Sequence, residues 1–264
     1  MTDMTTSTSS LQPRSRWSSY VMIAVMLLML LMTIGALIYS LNSNAAPEAT
    51  AALQDSPQVS VTLDGYYTFA PAGSSVDPAK ASTGLIIYPG AFVDESAYAL
   101  FAGALAASGY TTFIVPMPLD LAVLNANAAQ TVIEQNPQIT NWVIGGHSLG
   151  GAMAGQFVAA HPELAKGLVL LGAFPNGDLS GWDGVVASIY GTNDGLAKPE
   201  QVLAAANVLP ASTAFVPIEG GNHAQFGAYG AQGGDNTATI SAADQLAQTV
   251  QATLNVLNQV NAAN

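Results

Sequence analysis

From Gly84 onward, short continuous apolar runs alternate along the chain with longer segments that have helical spacing of apolar residues. Short runs that are apolar throughout are typical of strands buried on both faces. The predicted strands are Leu85–Tyr88, Thr111–Val115, Trp142–Ile144, Leu168–Leu171, Val185–Tyr190 and Thr213–Ile218. The predicted helices are Ser96–Ala107, Leu121–Gln135, Leu149–Ala160, Pro199–Asn207 and Ser241–Val260. This alternation predicts an α/β fold with a mostly parallel central sheet and helices on both faces.

A β-hairpin is predicted at the start of the domain, where Val59–Leu63 and Tyr66–Ala70 flank an Asp64-Gly65 turn. The domain is therefore expected to cover residues 58–264. Residues 42–57 are rich in Ala, Ser and Asn, include Pro47 and show no periodicity, so they are predicted to form a linker.

The N-terminal region contains an uncharged apolar segment from Tyr20 to Tyr39. About 20 apolar residues suffice to cross a bilayer as a helix. The sequence thus predicts a cytoplasmic tail over residues 1–19 and a transmembrane signal anchor over residues 20–41. Arg14 and Arg16 on its N-terminal side orient the remaining chain outside the cytoplasm. The alternative is a cleaved signal peptide with Ser43-Asn44-Ala45 as its processing site; both options export the domain and the first retains it at the cell membrane.

Charge and composition narrow the range of partners. Half of the residues are hydrophobic, 8% are charged and the net charge is −12, so phosphate backbones are repelled and no nucleic-acid partner is expected. Cysteine is absent, which excludes disulfides and thiolate metal ligands. The histidines at 147, 161 and 223 lack metal-ligand spacing, so no metal site is predicted. The oligomeric state is left open.

The segment Gly146-His147-Ser148-Leu149-Gly150 lies between a predicted strand and a predicted helix. This is the context that a Gly-x-Ser-x-Gly nucleophile elbow requires, because the turn lifts the serine above the sheet edge. Glycine leaves room where strand and helix cross closely and tolerates strained backbone angles. Ser148 is therefore the predicted nucleophile.

A serine nucleophile needs a histidine base held by a third group. Parallel strands present such residues at their C-terminal ends. Val185–Tyr190 is followed by Asp194, and Thr213–Ile218 is followed by His223. These two residues give the chain order Ser, Asp, His. Asp178 and Asp183 also lie between Ser148 and His223 and remain alternatives for the acid.

An acyl-transfer site also needs two N–H groups that bind the developing oxyanion. Leu149, directly after the nucleophile, is predicted to supply one. The loop after Leu85–Tyr88 is predicted to supply the other, with Ala91 as first choice and Phe92 as the alternative. His147 is interpreted as a packing residue or as part of the pocket lining.

The chain from about Gly84 onward resembles the α/β-hydrolase superfamily, in particular its small capless bacterial members related to dienelactone hydrolases and carboxylesterases. The resemblance is carried by Tyr88–Val93, Gly146–Gly151 and Gly221–Gly227. It implies a Ser148–Asp194–His223 triad and no cofactor. Two departures matter. Dienelactone hydrolases use Cys where this chain has Ser148, so their substrate does not carry over, and Pro89 stands where many lipases have His before Gly.

The expected function is hydrolysis of small to medium carboxylic esters through an acyl-enzyme on Ser148. The segment between the fourth and fifth strands of the parallel pattern is too short for a cap domain. It contains Phe174 and Trp182, which are predicted, together with Phe92, to contact substrate. Two alternatives remain: acyl transfer to an acceptor other than water, and a catalytically silent binding protein with the same fold.

Overall fold

The computed structural model describes residues 16–40 and 45–263. The chain divides into two units, Met1–Tyr39 and Ser40–Asn264. The described residues of the first unit all belong to helix α1, which spans Arg16–Ser40. The helices of the second unit are α2 Pro47–Ala51, α3 Ala99–Ala107, α4 Ala128–Gln135, α5 Leu149–Ala160, α6 Pro199–Ala204 and α7 Ala242–Ala262. Its strands are β1 Val59–Leu63, β2 Tyr67–Pro71, β3 Thr83–Tyr88, β4 Thr111–Ile114, β5 Asn141–His147, β6 Gly167–Leu171, β7 Val185–Gly191 and β8 Ala214–Ile218.

Helix α1 covers most of the segment predicted to be a transmembrane anchor. Within residues 16–40 and 45–263, no helix combines the length and the continuous hydrophobicity that a membrane crossing requires. Residues 1–15 and 41–44 lie outside the described residues, and the predicted topology and cellular location stay predictions.

The eight strands form one sheet in the order β1-β2-β4-β3-β5-β6-β7-β8. The pairs β1–β2 and β2–β4 are antiparallel, and every other pair is parallel. Both β3 and β5 are buried along their whole length. Helices cover both faces, so the predicted fold class is confirmed. The parallel strands end at one edge of the sheet, which brings the loops after β3, β5, β6, β7 and β8 to the same place.

The hydrophobic core lies in two layers, one on each side of the sheet. Alternate residues of β3 point into different layers: Leu85 and Ile87 pack with one cluster, and Ile86 and Tyr88 pack with the other. The first layer contains buried residues of α3 and α7, and the second contains those of α4 and α5. A strand buried by both layers has no face for polar residues, which explains its continuous apolar sequence.

Two predicted elements differ from the structure. Of the helix predicted for 121–135, only Ala128–Gln135 is α-helical, as α4, and Ala122–Asn125 forms a short 3₁₀ turn. Leu121 is extended, with φ −127° and ψ 102°, and Asn127 has φ −93° and ψ 14°, so regular α-helical geometry begins only at Ala128. The predicted linker is also partly packed. Ala49 of α2 is fully buried, and the Ala46 N–H donates to the Ala228 carbonyl at 2.7 Å.

Close packing between β3 and α5 predicts a test of the fold. A Cβ added at Gly150 would overlap the carbonyl oxygens of Tyr88 and Pro89, and backbone atoms cannot move aside cheaply. We expect Gly150→Ala to lower the free energy of unfolding by at least about 2 kcal/mol, measured by urea denaturation. Gly181→Ala is the matched control, because no atom lies within 4 Å of its added Cβ. Equal stability of the two variants would contradict the proposed close approach.

Candidate active site

Ser148 lies in the sharp turn between β5 and α5. Its backbone has φ +53° and ψ −123°, a combination that costs a non-glycine residue about 1–3 kcal/mol. The turn is held by two backbone hydrogen bonds: Ser148 N–H donates to the Leu171 carbonyl at 3.0 Å, and Ala152 N–H donates to the Ser148 carbonyl at 3.1 Å. The strained angles place the half-buried serine beyond the strand, at the N-terminus of α5. The structure thus contains the predicted elbow.

Asp194 and His223 form a buried pair. The Asp194 Oδ2 lies 2.8 Å from the His223 Nδ1, and the two residues are 2% and 1% exposed. The other carboxylate oxygen, Oδ1, accepts hydrogen bonds from the backbone N–H groups of Leu196 and Ala197 at 2.8 and 2.7 Å. These donors satisfy a carboxylate that is removed from water and fix its orientation towards the imidazole.

The remaining ring nitrogen of His223 is available for proton transfer. In the described part of the chain, its Nε2 is buried and has no hydrogen-bond partner. Asp194 at Nδ1 favours the tautomer that carries its proton there and leaves a lone pair on Nε2. A nitrogen in this state can accept the proton of a serine hydroxyl.

Gly172 connects the elbow to the acid–base pair. It follows Leu171, whose carbonyl binds the Ser148 N–H. A Cβ built on Gly172 would lie 3.0 Å from the Asp194 Oδ2 and 3.1 Å from the His223 Nδ1. The imidazole rings of His147 and His223 are also adjacent, with centroids 4.4 Å apart. Ser148, Asp194 and His223 are therefore at one edge of the sheet.

The alternative acids occupy different surroundings. Asp178 and Asp183 are both exposed. Asp178 accepts a hydrogen bond from the Ser180 backbone N–H at 2.9 Å, and this bond lowers the pKa of its carboxyl group. Its carboxylate thus stabilises a surface turn, whereas Asp194 contacts the histidine.

Within residues 90–93 of the loop after β3, one backbone N–H has no acceptor. The Gly90 N–H donates to the Tyr98 hydroxyl at 2.9 Å, and the Phe92 N–H donates to the Asp120 carbonyl at 2.8 Å. The Val93 N–H donates to the Gly90 carbonyl at 3.3 Å. Among these described loop residues, Ala91 is left with an unpaired N–H. Phe92, the alternative oxyanion donor, already uses its own.

The second predicted donor is Leu149. It is the first residue of α5, so its N–H has no carbonyl acceptor within the helix. The positive end of the helix dipole adds a favourable potential for an anion at this position. Ala91 and Leu149 are both half-buried.

His147 connects the elbow to the loop after β3. It is fully buried, and its Nδ1 lies 2.8 Å from the Tyr98 hydroxyl oxygen. Burial lowers the pKa of His147 well below 6.5, and the nearby His223 lowers it further, so the ring is neutral. Burial also raises the pKa of Tyr98, which keeps its proton. Because the Tyr98 oxygen accepts from Gly90, its proton is free to be donated to the His147 Nδ1.

From the sequence, His147 is expected to pack or to line the pocket, and no role is predicted for Tyr98. The structure gives both a defined place in a chain of hydrogen bonds from Gly90 through Tyr98 to His147. No sequence pattern marks Tyr98 as a partner of a residue 49 positions away. The apolar surroundings of its predicted helix are equally typical of an ordinary core tyrosine.

The predicted substrate-contacting residues are separated in the structure. Phe174 follows β6 on the site side and is 42% exposed. Trp182 donates its indole N–H to the Pro162 carbonyl at 3.3 Å, beyond the C-terminal end of α5. A 12-residue helix is about 18 Å long, so Trp182 is not brought to the Ser148 end. Phe92 lies in the loop after β3, half-buried and with φ +56°.

A cavity of about 750 Å³ lies behind the loop that carries His223. Its lining includes Ala97, Phe101, Asn222, Phe226 and Leu246 of α7. Ser148 is not part of this wall. Across residues 16–40 and 45–263, no cluster of three or more His, Cys, Asp or Glu side chains could hold a metal ion.

The sheet order, the elbow and the buried acid–base pair define an α/β hydrolase. Residues 84–247 match the family model of the "Alpha/beta hydrolase family", and the chain belongs to this family.

Two solved structures illustrate the similarity of fold. The alpha/beta hydrolase enzyme MGS-MChE2, from the metagenome of lagoon sediments of Mar Chica, Morocco, is 17% identical, with a TM-score of 0.51 over 63% of this chain and 90% of that one. A "predicted CIB-like hydrolase" from Thermoplasma acidophilum is 12% identical, with a TM-score of 0.56 over 75% of this chain and 99% of that one. At these identities the similarity concerns the fold. No curated protein matches the chain.

The buried His147 predicts how stability changes with pH. Its pKa is lowered on folding, so below pH 6.5 the unfolded chain binds a proton that the folded protein excludes. The contribution of neutral His147 to the free energy of unfolding is fully present above pH 6.5. It decreases as the pH falls, by at most about 1.4 kcal/mol per pH unit. We expect His147→Gln to show a shallower loss of unfolding free energy between pH 7 and 5 in urea titrations. Identical slopes for variant and wild type would contradict the assignment.

Proposed function

We propose that the protein is a serine hydrolase that cleaves small to medium carboxylic esters. The observation that carries this proposal is the hydrogen-bonded pair of Asp194 and His223. The Nε2 of His223 is buried and has no hydrogen-bond partner among the described residues, and the strained Ser148 lies at the same edge of the sheet. A carboxylate, an imidazole and a hydroxyl in this order supply a nucleophile with its base and the group that orients the base.

In the first half-reaction, the Ser148 Oγ attacks the ester carbonyl carbon while its proton moves to the His223 Nε2. The carbonyl oxygen becomes an oxyanion that accepts hydrogen bonds from the N–H groups of Leu149 and Ala91. The imidazolium formed is stabilised by Asp194 at its other nitrogen. Its Nε2 proton then passes to the departing alkoxide, which leaves as the alcohol, and an acyl-enzyme on Ser148 remains.

In the second half-reaction, water attacks the acyl carbon and transfers a proton to the His223 Nε2. A second tetrahedral intermediate forms in the same oxyanion site. The carbon–oxygen bond to Ser148 then breaks, and the serine oxygen takes the proton back from His223. The carboxylic acid is released, and the enzyme returns to its starting state without a cofactor.

The proposed size of the substrate follows from the loop after β6. Between Leu171 at the end of β6 and Val185 at the start of β7, the chain forms turns and bends without a helix or strand. Such a loop carries no lid domain, and we infer that the site is open on the side of this loop. An open site favours short acyl groups, since little apolar surface is available to bury a long chain.

Substitution of the nucleophile tests the reaction. We expect Ser148→Ala to reduce turnover of p-nitrophenyl acetate and butyrate to background while the circular dichroism spectrum is unchanged. The wild-type rate should fall from butyrate towards palmitate. Turnover by the folded variant at the wild-type rate would remove Ser148 from the mechanism, and a silent wild-type protein across the whole ester series would refute the esterase proposal.

The acid is tested with a matched set of variants. Asp194→Asn keeps the shape but loses the charge that stabilises the imidazolium, so kcat should fall by several orders of magnitude, on the order of 10⁴. KM should change much less, because Asp194 contacts the histidine and not the ester. Asp178→Asn and Asp183→Asn are the controls, and both should keep kcat near the wild-type value. A folded Asp194→Asn enzyme within about tenfold of the wild-type kcat would contradict the assignment.

A further inference from the structure

Asp235 binds both loops that carry the acid–base pair. Its Oδ1 accepts from the Gly195 N–H at 2.9 Å, and its Oδ2 accepts from the Ala224 N–H at 2.9 Å. Gly195 directly follows Asp194, and Ala224 directly follows His223. One carboxylate therefore bridges the residues next to the acid and next to the base.

Two backbone carbonyls that follow Asp235 accept hydrogen bonds from the same two loops. The Asn222 side-chain amide donates to the Asn236 carbonyl at 2.7 Å, and the Asn193 amide donates to the Thr237 carbonyl at 3.3 Å. Asn193 precedes Asp194, and Asn222 precedes His223. The segment 235–237 thus contacts the residue before and the residue after each member of the pair.

From this geometry we propose that Asp235 is a positioning residue that fixes the separation of Asp194 and His223. The inference rests on the proposed function. The two residues follow different strands, β7 and β8, and the loops after those strands must be held in register for a 2.8 Å contact. Hydrogen bonds to a carboxylate are stronger than those to a neutral acceptor, and one side chain with two oxygens can hold both loops at once.

The variant Asp235→Asn keeps the shape of the side chain but removes one of its two acceptor oxygens. An amide has one acceptor oxygen, and its nitrogen cannot accept a hydrogen bond, so Asp235→Asn can hold one loop and must repel the N–H of the other. A misplacement of about 1 Å at a reacting group can lower the rate about 100-fold. We expect kcat to fall by about 10- to 100-fold with KM within about threefold of wild type.

Proton NMR detects the hydrogen bond between Asp194 and His223 directly, without any substrate. The low-field signal of the proton between the His223 Nδ1 and the Asp194 Oδ2 should be present in the wild type and absent in Asp194→Asn. In Asp235→Asn we expect it to be shifted or broadened, because the contact is no longer held at one distance. A purely stabilising role for Asp235 would leave this signal unchanged in the folded variant.

The matched control is Asp244→Asn. Asp244 is an exposed acid at the N-terminus of α7, and its carboxylate accepts from Ser241 at 2.7 Å. This variant loses the same charge, and we expect its kcat and its low-field signal to match wild type. Near-UV circular dichroism shows whether each variant is folded. If Asp235→Asn does not fold, Asp235→Ser replaces it in the same measurements. The serine hydroxyl can accept a hydrogen bond from one loop, and the measurement is made at a temperature where this variant is folded.

The outcomes separate this inference from the proposed function. A folded Asp235 variant with wild-type kcat and an unchanged low-field signal would overturn the positioning role while esterase activity persists. Ser148→Ala with wild-type turnover, measured in parallel, would overturn the proposed function instead. In that case the NMR comparison still reports whether Asp235 fixes the pair.

Discussion

The close approach of helix α5 to the ends of β3 and β5 is the constraint on which the site depends. Side chains at Gly146 and Gly150 would overlap backbone atoms of the neighbouring segments, and backbone cannot yield as a flexible side chain can. With strand and helix this close, the connecting residue must reverse direction within one position. Ser148 does so at φ +53°. The two core layers on either side of the sheet hold this arrangement in place and support its strain.

Several hydrogen-bonded connections keep the loops at the sheet edge in register. The elbow is tied to the end of β6 through Leu171, and it is tied to the loop after β3 through His147 and Tyr98. The loops after β7 and β8 are joined through Asp235. In each case a buried or half-buried polar group receives its partner from a different loop. Such bonds restrict relative motion, which is what a reaction centre assembled from several strands requires.

Much of this arrangement could be predicted from the sequence because it follows from local patterns. The run of apolar residues in β3 and β5 identifies buried strands, and the Gly-x-Ser-x-Gly spacing marks the close crossing at Ser148. The strand-end rule selected Asp194 and His223, and the structure places them in contact. The sequence does not predict the late start of the helix expected over 121–135, since that start depends on the extended backbone of Leu121 and the non-helical ψ angle of Asn127, which no apolar pattern reveals.

The contacts that the sequence could not supply are long-range and polar. Asp235 lies in a Gly-rich segment typical of a surface loop, and its role depends on folding back over two other loops. In the sequence, Tyr98 and Ala49 look like any other residues of apolar segments. Only the tertiary structure brings Tyr98 to His147 and packs α2, with its buried Ala49, against α3. Trp182 was placed at the site because its loop follows β6, but its indole reaches the far end of α5.

The central claim is that Ser148 is a nucleophile activated by His223 and Asp194. Peptide mapping by mass spectrometry after reaction with a fluorophosphonate tests it most directly, because the reagent phosphonylates a serine whose proton is removed by a base. We expect one adduct per chain on the peptide that contains Ser148, and we expect it to be lost in a folded His223→Ala variant. Adducts on another residue, or a folded wild-type protein that does not react, would contradict it.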